Sequence, residues 1–487
     1  MKLVINKILF FLILLSFVYT GDSSHVGHGV HLSPADFNLY WLIPFVGILL
    51  SIALIPLFLP SFWHHNYGKV SLFWGVLFSL FFIINFTDYS LFYILEVYLK
   101  EFLPFIMLLL ALFTTSGGIL ISGDLEGEPK LNSLLLLIGT GLASIMGTTG
   151  ASMLLIRPLI RANSWRKYKV HLVVFFIFLV SNIGGSLTPI GDPPLFLGFL
   201  RGVDFTWTLF YMYKPMIFVS LILFALFFII DNYYYSKESK KSNKEGGKKI
   251  PITIKGKINF ILIGFIIIGV IISGLEKIPG TNILLKENSV ISYHGEMMMS
   301  MGGLIQLLIL IAVTLISLKI TPKEYRDRNS FTWEPIKEVA KLFATIFLTM
   351  IPAIEMLKGV TKEIGPMSWM KNVIIDQNGI NIDFMYFWLT GILSSFLDNA
   401  PTYVVFFTTA LGDNSVDWLM VTGDTLLAIS CGAVFMGAMT YIGNAPNFMV
   451  KSISEENDIK MPSFFGYMGW SVLILIPVFI LTSLMFF

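Results

Sequence analysis

Charge is scarce in this chain. Only 13% of its 487 residues are Asp, Glu, Lys or Arg, against roughly 25% in a soluble domain. So few charges cannot keep a chain of this size in water, and a soluble globular protein is excluded. Cysteine is nearly absent. Cys431 stands alone, so no disulfide, Cys-based zinc site or redox pair can form within the chain. It sits in an apolar segment, where a free cysteine behaves as a small buried hydrophobe. The net charge is +2, and no basic–aromatic patch suggests nucleic acid. A phosphate-binding Gly loop, a His-Glu-x-x-His helix and a Ser-His-Asp set are also missing. No resident cofactor is expected, and the chain is not read as an enzyme.

Apolar residues fill the space left by charge. They make up 55% of the chain, and mean hydropathy is +0.77. The fold class expected is an all-α polytopic membrane protein. Residues 1–20 carry Lys2 and Lys7 and then an apolar run from Ile8 to Tyr19. That is the pattern of a signal peptide, or of an uncleaved signal-anchor helix. Residues 21–38 then lie outside the membrane. They hold His25, His28 and His31, but no carboxylate or cysteine completes a metal set, so a solvated tail is expected. Spans are expected at about 39–59, 69–86, 102–121, 206–230, 258–275, 303–319, 338–357 and 464–486.

Two stretches cannot be plain helices. Residues 170–200 begin with an apolar run and continue as SNIGGSLTPIGDPPLF. Each proline removes an N–H and unpairs a carbonyl four residues earlier. At membrane depth such a break is tolerated only inside protein or beside a water-filled cavity. Residues 421–450 contain a second break. Residues 131–162 and 382–411 each hold two short apolar arms, joined by Gly147–Gly150 and by Leu397–Thr402. Arms shorter than about 20 residues do not span comfortably, so re-entrant hairpins are expected.

The linker 231–257 carries eight lysines against three acids. The positive-inside rule makes it cytoplasmic. It places Arg157, Arg161, Arg166, Lys167 and Lys169 on the same side, together with Lys319, Lys323, Arg326 and Arg328. Ten spans satisfy all three constraints in a plasma (inner) membrane. The first hairpin then enters from the cytoplasm and the second from outside.

The halves 39–230 and 258–487 repeat. Thr188, Gly191, Asp192, Pro194 and Phe196 recur as Thr440, Gly443, Asn444, Pro446 and Phe448 at an offset of 252. Thr140-Gly141 and Ser144 recur as Thr390-Gly391 and Ser394 at an offset of 250. Glycines and prolines can merely kink packed helices. Two matched breaks and two matched tips, all bearing polar groups, point instead to inverted repeats around a midplane site, the architecture of secondary transporters.

The segments SNIGGSLTPIGDPPLFLGFL (181–200), GTTGASMLLIRP (147–158) and SSFLDNAPTYVVFF (394–407) resemble the NhaD-type sodium/proton antiporters and the neighbouring putative citrate transport (CitMHS-like) group. Both belong to the ion transporter superfamily, with divalent-anion/sodium symporters more distant. The resemblance covers most of the chain after residue 35. It implies a homodimer whose protomers each move a transport domain against a scaffold.

The candidate binding residues are Asp192, Asn182, Ser186 and Thr188 in the first break, Thr440 and Asn444 in the second, Thr149 and Ser152 at the first tip, and Asp398, Asn399 and Thr402 at the second. Charge in the membrane is costly. Desolvation favours a protonated carboxylate, whereas a bound cation or nearby donors favour an ionised one. Sodium and protons can therefore compete at Asp192 and Asp398. Asp398 could alternatively serve as a helix cap. Sodium-coupled citrate or dicarboxylate uptake is the second reading, and an intramembrane diaspartyl protease a distant third. Glu355, in IPAIEML, is a further candidate for a proton path.

Overall fold

The structure is a computed structural model that describes residues 32–123, 125–238, 251–279, 281–293, 296–329, 331–377 and 379–487. The N-terminal segment 1–20, the three histidines and most of the lysine-rich linker lie outside the described residues. The chain is an all-α polytopic membrane protein. Among the described residues, eight helices are long and apolar enough to cross a membrane, or up to ten if each bent pair is one span. The described strands form two short antiparallel ribbons, Leu120–Ser122 with Thr253–Lys255 and Ser289–Tyr293 with Glu296–Ser300.

Helix ends follow local chemistry. Proline at a first helical turn begins Pro60–Asn85, Pro129–Met146 and Pro193–Leu200, where its missing N–H is not needed. Serine side chains cap Met301–Ile320 and Phe464–Phe486, taking up free amides. The second span starts earlier than expected, at Pro60. The third runs from Thr87 to Ser116 and contains a π-helical turn, Val97–Phe102. That turn joins the amphipathic stretch 87–101 to the apolar one.

The first break divides Val170–Leu179 from Pro193–Leu200, with a short 3-10 turn at Ile183–Leu187 between them. The second divides Asp424–Met436 from Ala445–Glu456. The hairpin arms are Pro129–Met146 with Thr148–Ala162, and Asp383–Phe396 with Asn399–Leu411. Each half thus has three spans, a hairpin, a broken helix and a closing span.

Burial separates the elements. The window Val170–Leu187 is 89% buried, against 28% for Leu39–Phe58 and 17% for Pro60–Asn85. Helices apolar on all sides either pack centrally or face lipid. The broken helices are therefore the centre, and the first two spans the periphery. Hairpins, breaks and the spans Trp207–Ser236 and Phe464–Phe486 pack together as one body. The spans of 39–116, 258–274, 301–320 and 334–358 pack together as a frame around it.

Two charged clusters lie deeper than positive-inside counting implies. The helix Trp207–Ser236 runs past the expected linker start, and Asp231 within it is fully buried. Arg166 Nη2 donates to Asp231 Oδ1 at 2.6 Å, His171 Nε2 lies 2.8 Å from the same oxygen, and Asn132 Nδ2 donates to Oδ2 at 2.9 Å. Asn132 and Asn163 exchange hydrogen bonds. This cluster ties both outer ends of the first hairpin to the first broken helix and to the span that follows it. In the frame, Arg326 Nη1 donates to Thr114 O at 2.6 Å and Asn329 Nδ2 donates to Gly117 O and Ile119 O. A cation thereby closes the negative end of the third span.

Replacing Asp231 by Asn removes the close counter-charge of buried Arg166 and leaves only Glu238 Oε1, 3.9 Å from its Nε. The expected loss is about 3–5 kcal/mol, read as a lower thermal midpoint in detergent. Lys167→Ala, at an exposed neighbouring position, should leave the midpoint in place.

Candidate functional site

The two breaks and two hairpin tips meet at one point. At the first tip a single residue, Gly147, separates the two arms. Its φ is +79°, a conformation that favours glycine. The second arm starts at once with Thr148, whose N–H donates to Gly191 O in the first break at 2.8 Å. At the second tip Asp398 is the N-cap of Asn399–Leu411. Its Oδ1 accepts from Ala400 N at 3.0 Å. Among the described residues no donor reaches its Oδ2.

Asp192 occupies the equivalent cap position of Pro193–Leu200 but makes no side-chain cap bond. Pro194 removes the amide of the second helical position, and the next amide, Leu195 N, donates to the backbone O of Asp192 at 3.1 Å. The carboxylate turns to other elements instead. Thr148 Oγ1 donates to Oδ1 at 2.9 Å, Asn444 Nδ2 donates to Oδ1 at 2.9 Å, and Asn399 Nδ2 donates to Oδ2 at 2.7 Å. Asp192 is 1% exposed. One buried carboxylate thus joins its own break, the other break and both tips.

Asparagines complete the junction. Asn444 Nδ2 also lies 3.2 Å from Asn182 Oδ1. Asn182 Nδ2 donates to Asn447 Oδ1 at 2.7 Å, and Asn447 Nδ2 donates to Gly437 O and Thr440 O. The Oδ1 of Asn399 is buried without a hydrogen-bond partner among the described residues. It is an oxygen with free lone pairs next to Asp192.

The hydroxyls named from sequence divide into two sets. Ser186 donates to Ile183 O, Thr188 to Ser144 O, Thr402 to Asp398 O and Thr440 to Ser395 O. Their protons hold the backbone of the breaks and of the second tip. Ser152 pairs with Ser181 at 2.8 Å, and Thr149 lines the cavity described next. Glu355 lies apart. It is buried, pairs with Lys358 at 2.7 Å, and lines a separate cavity with Tyr93, Glu101 and Arg201. Thr148, Asn447 and Ser144 were not among the candidates. Thr148 could have been found, because the offset of 250 that matches the hairpins pairs it with Asp398. Asn447 has Leu195 as its counterpart, and no polar match marks it.

Asp192 and Asp398 line a cavity of about 80 Å³, room for several water-sized spheres. Its walls include Phe105, Leu112, Phe196 and Phe343. Among the described residues lining it there is no Lys, Arg or His. Four helices begin at it: Thr148–Ala162, Pro193–Leu200, Asn399–Leu411 and Ala445–Glu456. Their positive ends offset the two negative charges. No cluster of three or more His, Cys, Asp or Glu occurs among the described residues. A cation here would therefore rely on two carboxylates and neutral oxygens, the ligand type hard cations prefer.

Glycine lets the breaks cross. A Cβ on Gly191 would sit 2.1 Å from Gly185 O, and one on Gly443 would sit 2.6 Å from Gly437 O. Gly191→Ala and Gly443→Ala should each lower the thermal midpoint and reduce folded yield. Gly141 has nothing within 4 Å of its Cβ position. Gly141→Ala, inside a helix, should raise stability by roughly 0.5–1 kcal/mol.

Comparison with known proteins places the chain in a family. The model of the family described as "Putative citrate transport" matches residues 34–487. No curated protein matches the chain. That match spans nearly all the described residues, hairpins and breaks included, and the chain belongs to the putative citrate transport family, a group of membrane transporters within the ion transporter superfamily.

Proposed function

We propose that the chain exchanges sodium or lithium for protons, with both competing for Asp192 and Asp398. The observation that carries this reading is the charge of the cavity: two carboxylates, apolar walls and, among the described residues, no cationic side chain. A polyanion entering alone would meet like charge in a medium that screens little. A dehydrated sodium ion would find two carboxylates, the free Oδ1 of Asn399 and backbone carbonyls.

The two acids divide the work. Asp192 accepts from three donors, which leaves one lone-pair site on Oδ2 for an ion or proton, and sets the charge of the junction. Asp398 keeps an oxygen free and is the carboxylate an arriving ion meets first. Protonating either acid removes the attraction for the cation, and this couples the two fluxes.

A second reading is sodium-coupled uptake of citrate or a related carboxylate. The family's description favours it, as do the four helix N-termini at the cavity. In that case sodium must neutralise the acids before the anion enters. The lysine-rich linker is cytoplasmic in either reading.

One reconstituted preparation separates the two. Under exchange, adding sodium or lithium to proteoliposomes with an imposed pH gradient dissipates the gradient without any carboxylate. Under symport, labelled citrate or dicarboxylate accumulates only with an inward sodium gradient. No proton movement with sodium, lithium or potassium at neutral to alkaline pH refutes exchange.

Asp398→Asn should reduce exchange to background while leaving the thermal midpoint nearly unchanged, because Asn and Asp cap helices about equally well. Asp192→Asn should lose exchange and also lower the midpoint, because three donors lose a charged acceptor. Exchange at the parental rate in either variant contradicts the assignment.

A further inference from the structure

Three cavities straddle the seam between the frame and the central body. The first holds Asp192 and Asp398. The second, about 690 Å³, lies between Leu99–Pro104 and Met297–Leu307 of the frame and Phe199–Thr206 of the body. The third, about 280 Å³, lies between Tyr93–Glu101 and Phe347–Lys358 of the frame and Arg201 and Phe407–Gly412 of the body. Protein interiors are otherwise close-packed. A seam with this much empty space marks two units able to separate.

Few polar contacts bridge the seam at this end. Lys362 and Asp413 pair at 2.8 Å, but both side chains are more than half exposed (51% and 56%), where an ion pair contributes little. Arg201 Nη2 and Glu101 Oε1 pair at 2.7 Å with side-chain exposures of 15% and 20%. Arg201 immediately follows the second arm of the first broken helix, the arm that Asp192 begins. Glu101 lies in the π-helical turn Val97–Phe102 of the third span, a distortion often found at functional sites. Lys100 in the same turn is occupied by Glu96 at 2.8 Å, so it does not compete with Arg201 for Glu101.

The pair makes one bond where Arg and carboxylate often make two. Glu101 Oε2 and Arg201 Nη1 are buried without hydrogen-bond partners among the described residues. Unpartnered buried atoms subtract from the gain of the bond. The contact is therefore strong enough to bias the seam and weak enough to open. We propose that Glu101 and Arg201 form a latch between frame and body, which holds the arrangement described and must part in every transport cycle. The latch rests on the exchange reading only in taking movement of the body as the transport step.

Cys431 is the sole cysteine, which allows a direct test. In a Cys431→Ser background, the double variant Glu101→Cys/Arg201→Cys is joined with a bifunctional methanethiosulfonate. Ion-driven proton flux should fall to background after joining and return on reduction. A second readout needs no transported ion. Thr149→Cys in the same background reports opening of the seam through its rate of modification by a small maleimide. Adding Glu101→Gln should change that rate by about fivefold, as for a partly buried ion pair. The charge swap Glu101→Arg/Arg201→Glu should bring it back toward the parent. Flux that persists in the joined protein, or one labelling rate in all three variants, overturns the latch. If the parent moves no ion at all, the exchange reading fails and the labelling rates alone decide the latch.

Discussion

A buried carboxylate must be given donors, and Asp192 is given none by its own helix. Two prolines follow it, and the first amide after them, Leu195 N, is taken by the backbone carbonyl of Asp192. An uncompensated charge at this depth would cost several kcal/mol. The donors come from Thr148, Asn399 and Asn444, which lie on three other elements and on both halves of the chain. The meeting of two hairpin tips and two broken helices is thus the solution to one electrostatic constraint. Gly191 and Gly443 let each break fold back against Gly185 O and Gly437 O by omitting a side chain, and Gly147 supplies the positive φ of the first tip.

The repeat is symmetric in backbone and unequal in charge. Thr188 and Thr440 both donate to the backbone of the neighbouring hairpin's first arm, at Ser144 and Ser395. Acids occupy opposite positions in the two copies. The first half has Asp192 in the break and Thr148 at the tip. The second has Asn444 in the break and Asp398 at the tip. An aspartate in place of Asn444 would face Asp192 with like charge and could not donate to it. The asparagine supplies the donor that the junction needs, and the second acid lines the same cavity from the other hairpin tip. One acid is held rigidly and one is left with a free oxygen, which is the basis for assigning them different roles.

Much of this was legible before the fold was in view. The prolines and glycines at 184–194, and the cluster Asp398–Thr402, announce themselves because their effect on the backbone is local. The apolar runs placed most spans to within a few residues, but the third, expected from 102, begins at Thr87 and reaches the apolar run through a π-helical turn. The second span begins at Pro60 because proline starts a helix well, and the span at 207 continues to Ser236 because Arg166 neutralises Asp231 while His171 and Asn132 hydrogen-bond it. Site composition was harder to read. Asp192, Asn399 and Asn444 do meet, but Ser186, Thr188, Thr402 and Thr440 use their protons on backbone carbonyls, and Glu355 lies in another cavity. Which hydroxyl reaches which carboxylate depends on helices crossing far apart in sequence. Neither motif nor spacing encodes that crossing.

The central claim is that a cation and a proton compete for one pair of carboxylates. Proton release on ion binding tests it most directly. Sodium is added to the purified protein in weakly buffered detergent solution while pH is recorded. The account predicts acidification that saturates with sodium, is reproduced by lithium, and is absent when Asp192 and Asp398 are both replaced by Asn. Saturable sodium binding with no release of protons would contradict it.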